Sequence, residues 1–277
     1  MHGRPSPMKS RTSTRGDVVA IHLLGPISVC TDGRPHGVGS SKVRTMLAVL
    51  ALEAGQAVSH TDLADELWSG DTVRNPRNAM QAHATRVRRV LKGGGGRCGS
   101  GNSVLRSVPN GYVLDVPREH IDGHRFLDLA SQAATTLADA PERALRLLDS
   151  ALLLWRGPAL LDAGDGLRCR SAARLFEERR LSALADQVRA RIMLGDHARA
   201  IAELHRLVAQ FPLREHFCDL LMLALYQVGR QSDALEQFRL ARQRLDEELG
   251  IRPGELLQRR HAEILAQDPA LAHAGLV

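Results

Sequence analysis

Aromatic side chains make up only 3% of these 277 residues. A core built on stacked rings is excluded, and Leu, Ala and Val must fill the interior, as they do between packed helices. No apolar run approaches the roughly 20 residues a helix needs to cross a bilayer. The first 17 residues hold no apolar stretch of the kind a signal peptide requires, so 1–17 read as a disordered basic tail and the chain as cytoplasmic. The four cysteines, Cys30, Cys98, Cys169 and Cys218, form no Cys-x-x-Cys pair. That argues against a structural metal and for free thiols in a reducing compartment. None of the twelve histidines stands in a His-Glu-x-x-His spacing. The glycine run at 93–96 lacks the Lys-Ser/Thr of a phosphate-binding loop and reads as a connector. No catalytic, metal or cofactor site is expected, and the chain does not read as an enzyme. The most informative absence is local: residues 75–92 contain no carboxylate, whereas a solvated helix usually mixes signs.

That stretch, NPRNAMQAHATRVRRVLK, reads as one helix with two different faces. At 100° per residue Met80, Ala84, Val87 and Leu91 share one side, the stripe of a core-facing helix. The opposite side carries Asn78, Thr85 and Arg89, flanked by Gln81, Arg86, Arg88 and Lys92, with Arg77 in the first turn. Such side chains reach both phosphates and base edges: Arg86 or Arg89 pairs bidentately with guanine, Asn78 or Gln81 with adenine. Charge placement agrees. Residues 1–116 hold 15 Lys and Arg against 8 Asp and Glu, while the remainder holds 22 against 23. All the excess positive charge thus lies in the N-terminal part, the pattern of a basic nucleic-acid-binding domain joined to a neutral one. A solvated basic surface with no partner is the competing reading.

Around the basic helix the chain alternates strand and helix signals. Residues 19–24 and 27–30 read as short strands, and Asp32-Gly33 as a turn. A helix is predicted over 41–53. Ser59-His-Thr-Asp62 opens a second, resembling a capping box with Asp in the Glu position. Trp68 closes it and, like Trp155, reads as core. After the basic helix come a flexible Gly/Ser-rich connection to about 103 and a hairpin, 104–108 and 112–116, turning at Asn110-Gly111. This order predicts a winged helix-turn-helix domain over 18–117, its third helix in the major groove and its wing near the minor groove. Lys42, Arg44 and Arg77 are placed to hold phosphate, and Arg106, Asn110 and Tyr112 of the wing to meet backbone or minor groove. A linker at 117–122 leads to helices predicted over 122–139, 142–155, 171–194, 197–210, 214–229, 232–249 and 254–267. Gly195 and Gly229 stand 34 residues apart, and in that register Leu194 matches Val228, Ala200 matches Ala234, Ile201 matches Leu235 and Leu204 matches Phe238. A 34-residue period is the tetratricopeptide signature. The fold class expected is mainly α with a small β component: a winged helix followed by an all-α, tetratricopeptide-like domain over 122–270, with a tail at 271–277.

Several stretches together resemble the Streptomyces antibiotic regulatory protein type of transcriptional activator, over about 19–271. They are Leu24-Gly-Pro26, Leu63-Ala-Asp-Glu-Leu-Trp68, Asn75-Pro-Arg-Asn-Ala79, Arg86-Val-Arg-Arg89 and Gly111-Tyr-Val-Leu114. Further on stand Leu154-Trp-Arg-Gly-Pro-Ala159, Met222-Leu-Ala-Leu-Tyr226, Gly229-Arg-Gln231, Glu247-Glu-Leu-Gly-Ile251 and Ile264-Leu-Ala-Gln-Asp-Pro269. The resemblance implies an OmpR/PhoB-type winged helix and a bacterial transcriptional activation domain. It implies binding to direct repeats in double-stranded DNA near promoters, self-association there head to tail, contact with RNA polymerase holoenzyme, and control of genes for antibiotic or other secondary metabolites. It implies no cofactor. The nucleotide-binding ATPase module of larger relatives has no counterpart in these residues. His83 stands where many relatives carry an aromatic residue, and the glycine-rich stretch 93–101 is longer than their usual connection. The alternative function is a protein-interaction scaffold or an effector-responsive regulator with only weak DNA binding.

Overall fold

The computed structural model describes residues 19–68, 74–93 and 104–273. The tail at 1–17, most of the loop 69–74 and the Gly/Ser-rich connection lie outside them. The chain divides into two units, each of which borrows a short segment from the other's stretch of sequence. The first comprises the chain to Leu23, Ile27–Ile121 and Asp162–Gly166; the second comprises Leu24–Pro26, Asp122–Leu161 and the chain from Leu167.

In the first unit β1 (Val19–His22), β2 (Ser28–Thr31) and β3 (Arg34–Gly37) form an antiparallel sheet in that order, with Val19, Ile21 and Val29 turned inward. The helix α1 (Ser41–Leu52) starts on Ser40, whose hydroxyl accepts from the Val43 N–H at 3.4 Å, and buries eight of its twelve residues. The strand β4 (Ala57–Ser59) was not predicted, since three residues are too few to show alternation. α2 (His60–Trp68) is capped by Ser59, which accepts from the Asp62 N–H at 3.0 Å and donates its hydroxyl to the Asp62 carboxylate at 2.8 Å. The predicted cap is thus present, with the Asp62 carboxylate reaching back to the Ser59 hydroxyl. α3 (Pro76–Leu91) follows, and β5 (Leu105–Val108) and β6 (Gly111–Leu114) make the hairpin. Both Ala57–Ser59 and β5 pair with β6, giving the order β4-β6-β5.

The hairpin differs from its prediction by one residue. Val108 pairs with Gly111, so Pro109 and Asn110 form the turn and Gly111 is the first strand residue. Gly111 is needed there for close approach: a Cβ would sit 2.0 Å from the Val58 carbonyl oxygen. The predicted linker is also anchored. After a 3₁₀ turn at Arg118–His120, Ile121 is fully buried and bridges to Ile21.

The second unit is helical: α4 (Asp122–Thr136), α5 (Pro141–Leu152), α6 (Leu167–Met193), α7 (His197–Gln210), α8 (Glu215–Gln227), α9 (Gln231–Leu249) and α10 (Glu255–Leu265). α6 begins four residues before the Ser171 start predicted, because Leu167, Arg168 and Arg170 favour helix and Cys169 is buried. α5 stops at Leu152 because the chain turns back there, and the Arg156 N–H bonds to the Leu24 carbonyl at 2.8 Å. The repeat is physical. Gly195 and Gly229, with φ of 76° and 78°, end α6 and α8 through the same left-handed cap. In both, the following N–H reaches back five residues, Asp196 to Arg191 and Arg230 to Leu225, each at 2.9 Å. Ala200 and Ala234, matched across the period, are both fully buried in one core with Leu204, Leu207, Leu221 and Leu225. Leu271, expected to begin the C-terminal tail, is buried, and its carbonyl accepts from Gln227 Nε2 at 3.0 Å.

Candidate nucleic-acid interface

α3 is built to present one face. The Asn75 side chain accepts from the Asn78 N–H at 3.2 Å and Pro76 fills the first helical position, so the start is fixed. Met80, Ala84, Val87 and Leu91 are buried, the stripe read from the sequence. No acidic residue occupies the first turn, which leaves the positive end of the helix dipole available to an anion. Arg77, Asn78, Gln81, Thr85, Arg86, Arg89 and Lys92 are exposed. Among the described residues Arg77, Arg86 and Arg89 make no hydrogen bond or ion pair. Three exposed guanidinium groups within 13 positions, without partners among the described residues, concentrate positive charge on this face. The Thr85 hydroxyl donates to the Gln81 carbonyl at 2.9 Å, which leaves its lone pairs outward.

Between α3 and the hairpin runs a cleft of 360 Å³, lined among others by His60, Arg77, Gln81, Thr85, Arg88 and Tyr112. His60, at the start of α2, escaped the sequence reading, because its neighbours Ser59 and Asp62 carried only a capping signal. Its ring meets Tyr112 edge-on at 5.4 Å.

Five residues expected to touch DNA are otherwise engaged. Arg44 Nε lies 3.1 Å from the Asp162 carboxylate and 3.0 Å from its carbonyl, while Nη1 donates to the Val38 and Gly39 carbonyls. Its fork closes the first unit onto Asp162–Gly166, an acceptor 118 positions away that no local pattern discloses. Lys42 Nζ donates to the Leu67 carbonyl in the last turn of α2, where helix carbonyls lack partners. Arg106 is paired with Asp115 across the hairpin. Tyr112 is 3% exposed and acts as a wall under the cleft, its phenol pushed up from the usual range by burial. Arg88 turns away from the exposed face toward the wing. Asn110 keeps an exposed side chain, but its carbonyl accepts from the His60 N–H at 2.9 Å.

His83 on α3 packs toward the end of α2, its ring 6.3 Å from that of Trp68, and both are only half-buried. Its Nδ1 is buried without a partner among the described residues. Burial first, then the charges of Arg86 and Lys42, lower its pKa from the ordinary 6.5. The fold therefore favours the neutral ring, and the stability so gained is present above pH 6.5 and lost as pH falls through the lowered value. His216 and His261 in the second unit are lowered in the same direction, chiefly by burial. The readout is therefore a difference: His83→Phe is expected to lose less stability than the wild type in chemical denaturation between about pH 7.5 and 5.5. Equal losses would show that His83 does not titrate with folding.

An N-terminal sheet, a three-helix core and a wing, followed by helical repeats, define a two-domain transcription regulator of winged-helix type. Comparison with known proteins agrees along the chain. Residues 37–114 match the family described as transcriptional regulatory protein, C terminal, and residues 121–265 the bacterial transcriptional activator domain. The chain is 56% identical over 256 residues to transcriptional regulator RedD of Streptomyces coelicolor, covering 92% of this chain and 73% of RedD. It is 33% identical to regulatory protein DnrI of Streptomyces peucetius, covering 92% and 95%. The solved structure of Mycobacterium tuberculosis EmbR in complex with a low-affinity phosphopeptide superposes with a TM-score of 0.85 at 30% identity, covering 94% of this chain and 69% of EmbR. The chain belongs to the Streptomyces antibiotic regulatory protein family of transcriptional activators. Among the described residues no helix is long and apolar enough to cross a membrane.

Proposed function

We propose that this protein is a pathway-specific activator of a secondary-metabolite gene cluster. α3 enters the major groove of double-stranded DNA at direct repeats near the promoter, and protomers assemble there side by side. The helical unit then recruits RNA polymerase holoenzyme. The observation that carries the DNA reading is the exposed, carboxylate-free face of α3, with Arg77, Arg86 and Arg89 unpaired among the described residues. Base choice is assigned to Asn78, Gln81, Thr85 and Arg89, and phosphate contact to Arg77, Arg86 and Lys92. Family membership and the likeness to RedD support activation, and the near-neutral charge of the second half suits a protein partner better than DNA.

The test is duplex binding to the promoter regions of neighbouring biosynthetic genes across a salt series. Affinity is expected to fall steeply with salt and to exceed that for random DNA. Arg89→Ala is expected to weaken specific binding by about 1–3 kcal/mol while leaving random-DNA binding less affected. Indifference to salt, or equal affinity for random sequence, would sink the proposal. A footprint on the same promoters checks repeat spacing, and retention of polymerase on the promoter by the bound protein checks recruitment.

A further inference from the structure

Arg88 and Arg89 are sequence neighbours on α3, yet they face different tasks. Arg89 is exposed, while Arg88 is half-buried and turned to the hairpin. Arg88 Nε donates to the Leu105 carbonyl at 3.1 Å, and Nη2 donates to the Ser107 hydroxyl at 2.8 Å. The guanidinium carbon also lies 5.8 Å from the centre of the Tyr112 ring. Leu105 and Ser107 belong to β5, and Tyr112 on β6 stands opposite Ser107 in the ladder. One side chain of α3 therefore touches both strands of the wing.

The acceptors are specific. β5 is an edge strand of its sheet. The Asp115 N–H donates to the Val104 carbonyl at 2.7 Å, so the Leu105 carbonyl, one residue on, points to the unpaired edge. The planar fork of an arginine meets that carbonyl and the hydroxyl two residues later at once. A lysine ammonium, a point charge on a flexible stem, does not reproduce this geometry.

We infer that Arg88 is a positioning residue for the wing: it sets where the hairpin 105–114 stands relative to the bases that α3 reads, and it does not itself contact DNA. The inference rests on the DNA-binding reading above. Two measurements on the full chain test it, comparing Arg88→Ala, Arg88→Lys and Arg86→Ala. In the free protein, hydrogen–deuterium exchange over residues 105–114 is expected to quicken in both Arg88 variants and to stay unchanged in Arg86→Ala. In duplex binding, both Arg88 variants are expected to bind roughly tenfold more weakly with the wild-type salt slope, lysine rescuing nothing. Arg86→Ala, by contrast, lowers the slope by about 0.9. Unchanged exchange in both Arg88 variants overturns the inference. So does a reduced slope in Arg88→Ala that lysine restores, which would make Arg88 a phosphate contact. Exchange is read without DNA, so it decides the wing contact even if the wild type shows no salt-dependent duplex binding, a result that overturns the DNA-binding reading itself.

Discussion

Gly111→Ala is expected to destabilise the N-terminal unit by about 3 kcal/mol and to abolish tight duplex binding. The added Cβ would stand 2.0 Å from the Val58 carbonyl oxygen and 3.1 Å from the Ser59 Cα. Both neighbours are backbone, so no rotamer change relieves the overlap, and β4 must separate from β6. Three links then fail together. The pairing of Ser59 with Gly111 opens, the His60 N–H loses the Asn110 carbonyl, and Tyr112 shifts under the cleft that Arg77 and Gln81 line. Thermal unfolding should show a fall on the order of 10 °C in the transition of this unit. An unchanged melting temperature would mean that β4 and the wing do not pair in the register seen here.

Asp219→Ala should injure the other unit and leave DNA binding in place. Asp219 is 4% exposed on α8, and its carboxylate accepts from Arg260 Nε on α10 at 2.9 Å. Removing one partner of a buried pair leaves the other charge uncompensated, a loss of about 3–5 kcal/mol. Here the lower end applies, because Arg260 Nη1 also reaches Glu263 at 3.0 Å. Glu263 is on α10 itself, however, and cannot replace the tie to α8. We expect the helical unit to lose about 3 kcal/mol, with loss of activation in a reporter assay, while duplex affinity stays within about twofold. A fall in duplex affinity equal to the fall in activation would argue against separate tasks. Point substitution serves better here than truncation at residue 120. Truncation also removes Asp162–Gly166 from the first unit, and with it the acceptor for Arg44 and the carboxylate that accepts from the Ile27 N–H at 2.8 Å.

The two faces of α3 were legible before any coordinates, because a helix maps sequence spacing onto angle: Met80, Ala84, Val87 and Leu91 had to share a side. The cap at Ser59 and the 34-residue spacing of Gly195 and Gly229 were legible for the same reason, since each is a local rule of backbone geometry. Which arginines are free was not legible. Arg44, Arg86, Arg88, Arg89 and Arg106 are alike in sequence, and only the chain's return path puts Asp162 beside the first, the wing's edge beside the third and Asp115 across from the last.

The sequence by itself thus determined that a carboxylate-free, cationic helix face exists, that it belongs to a winged helix, and that a neutral helical repeat follows. Local periodicity and charge suffice for that. Only the tertiary structure decided that Arg77, Arg86 and Arg89 are exposed without a hydrogen-bond or ion-pair partner among the described residues, while Arg44, Arg88 and Arg106 are paired within the unit. The reason is physical: a guanidinium goes to whichever acceptor lies within hydrogen-bond reach, and the packing of elements far apart in the chain sets those distances.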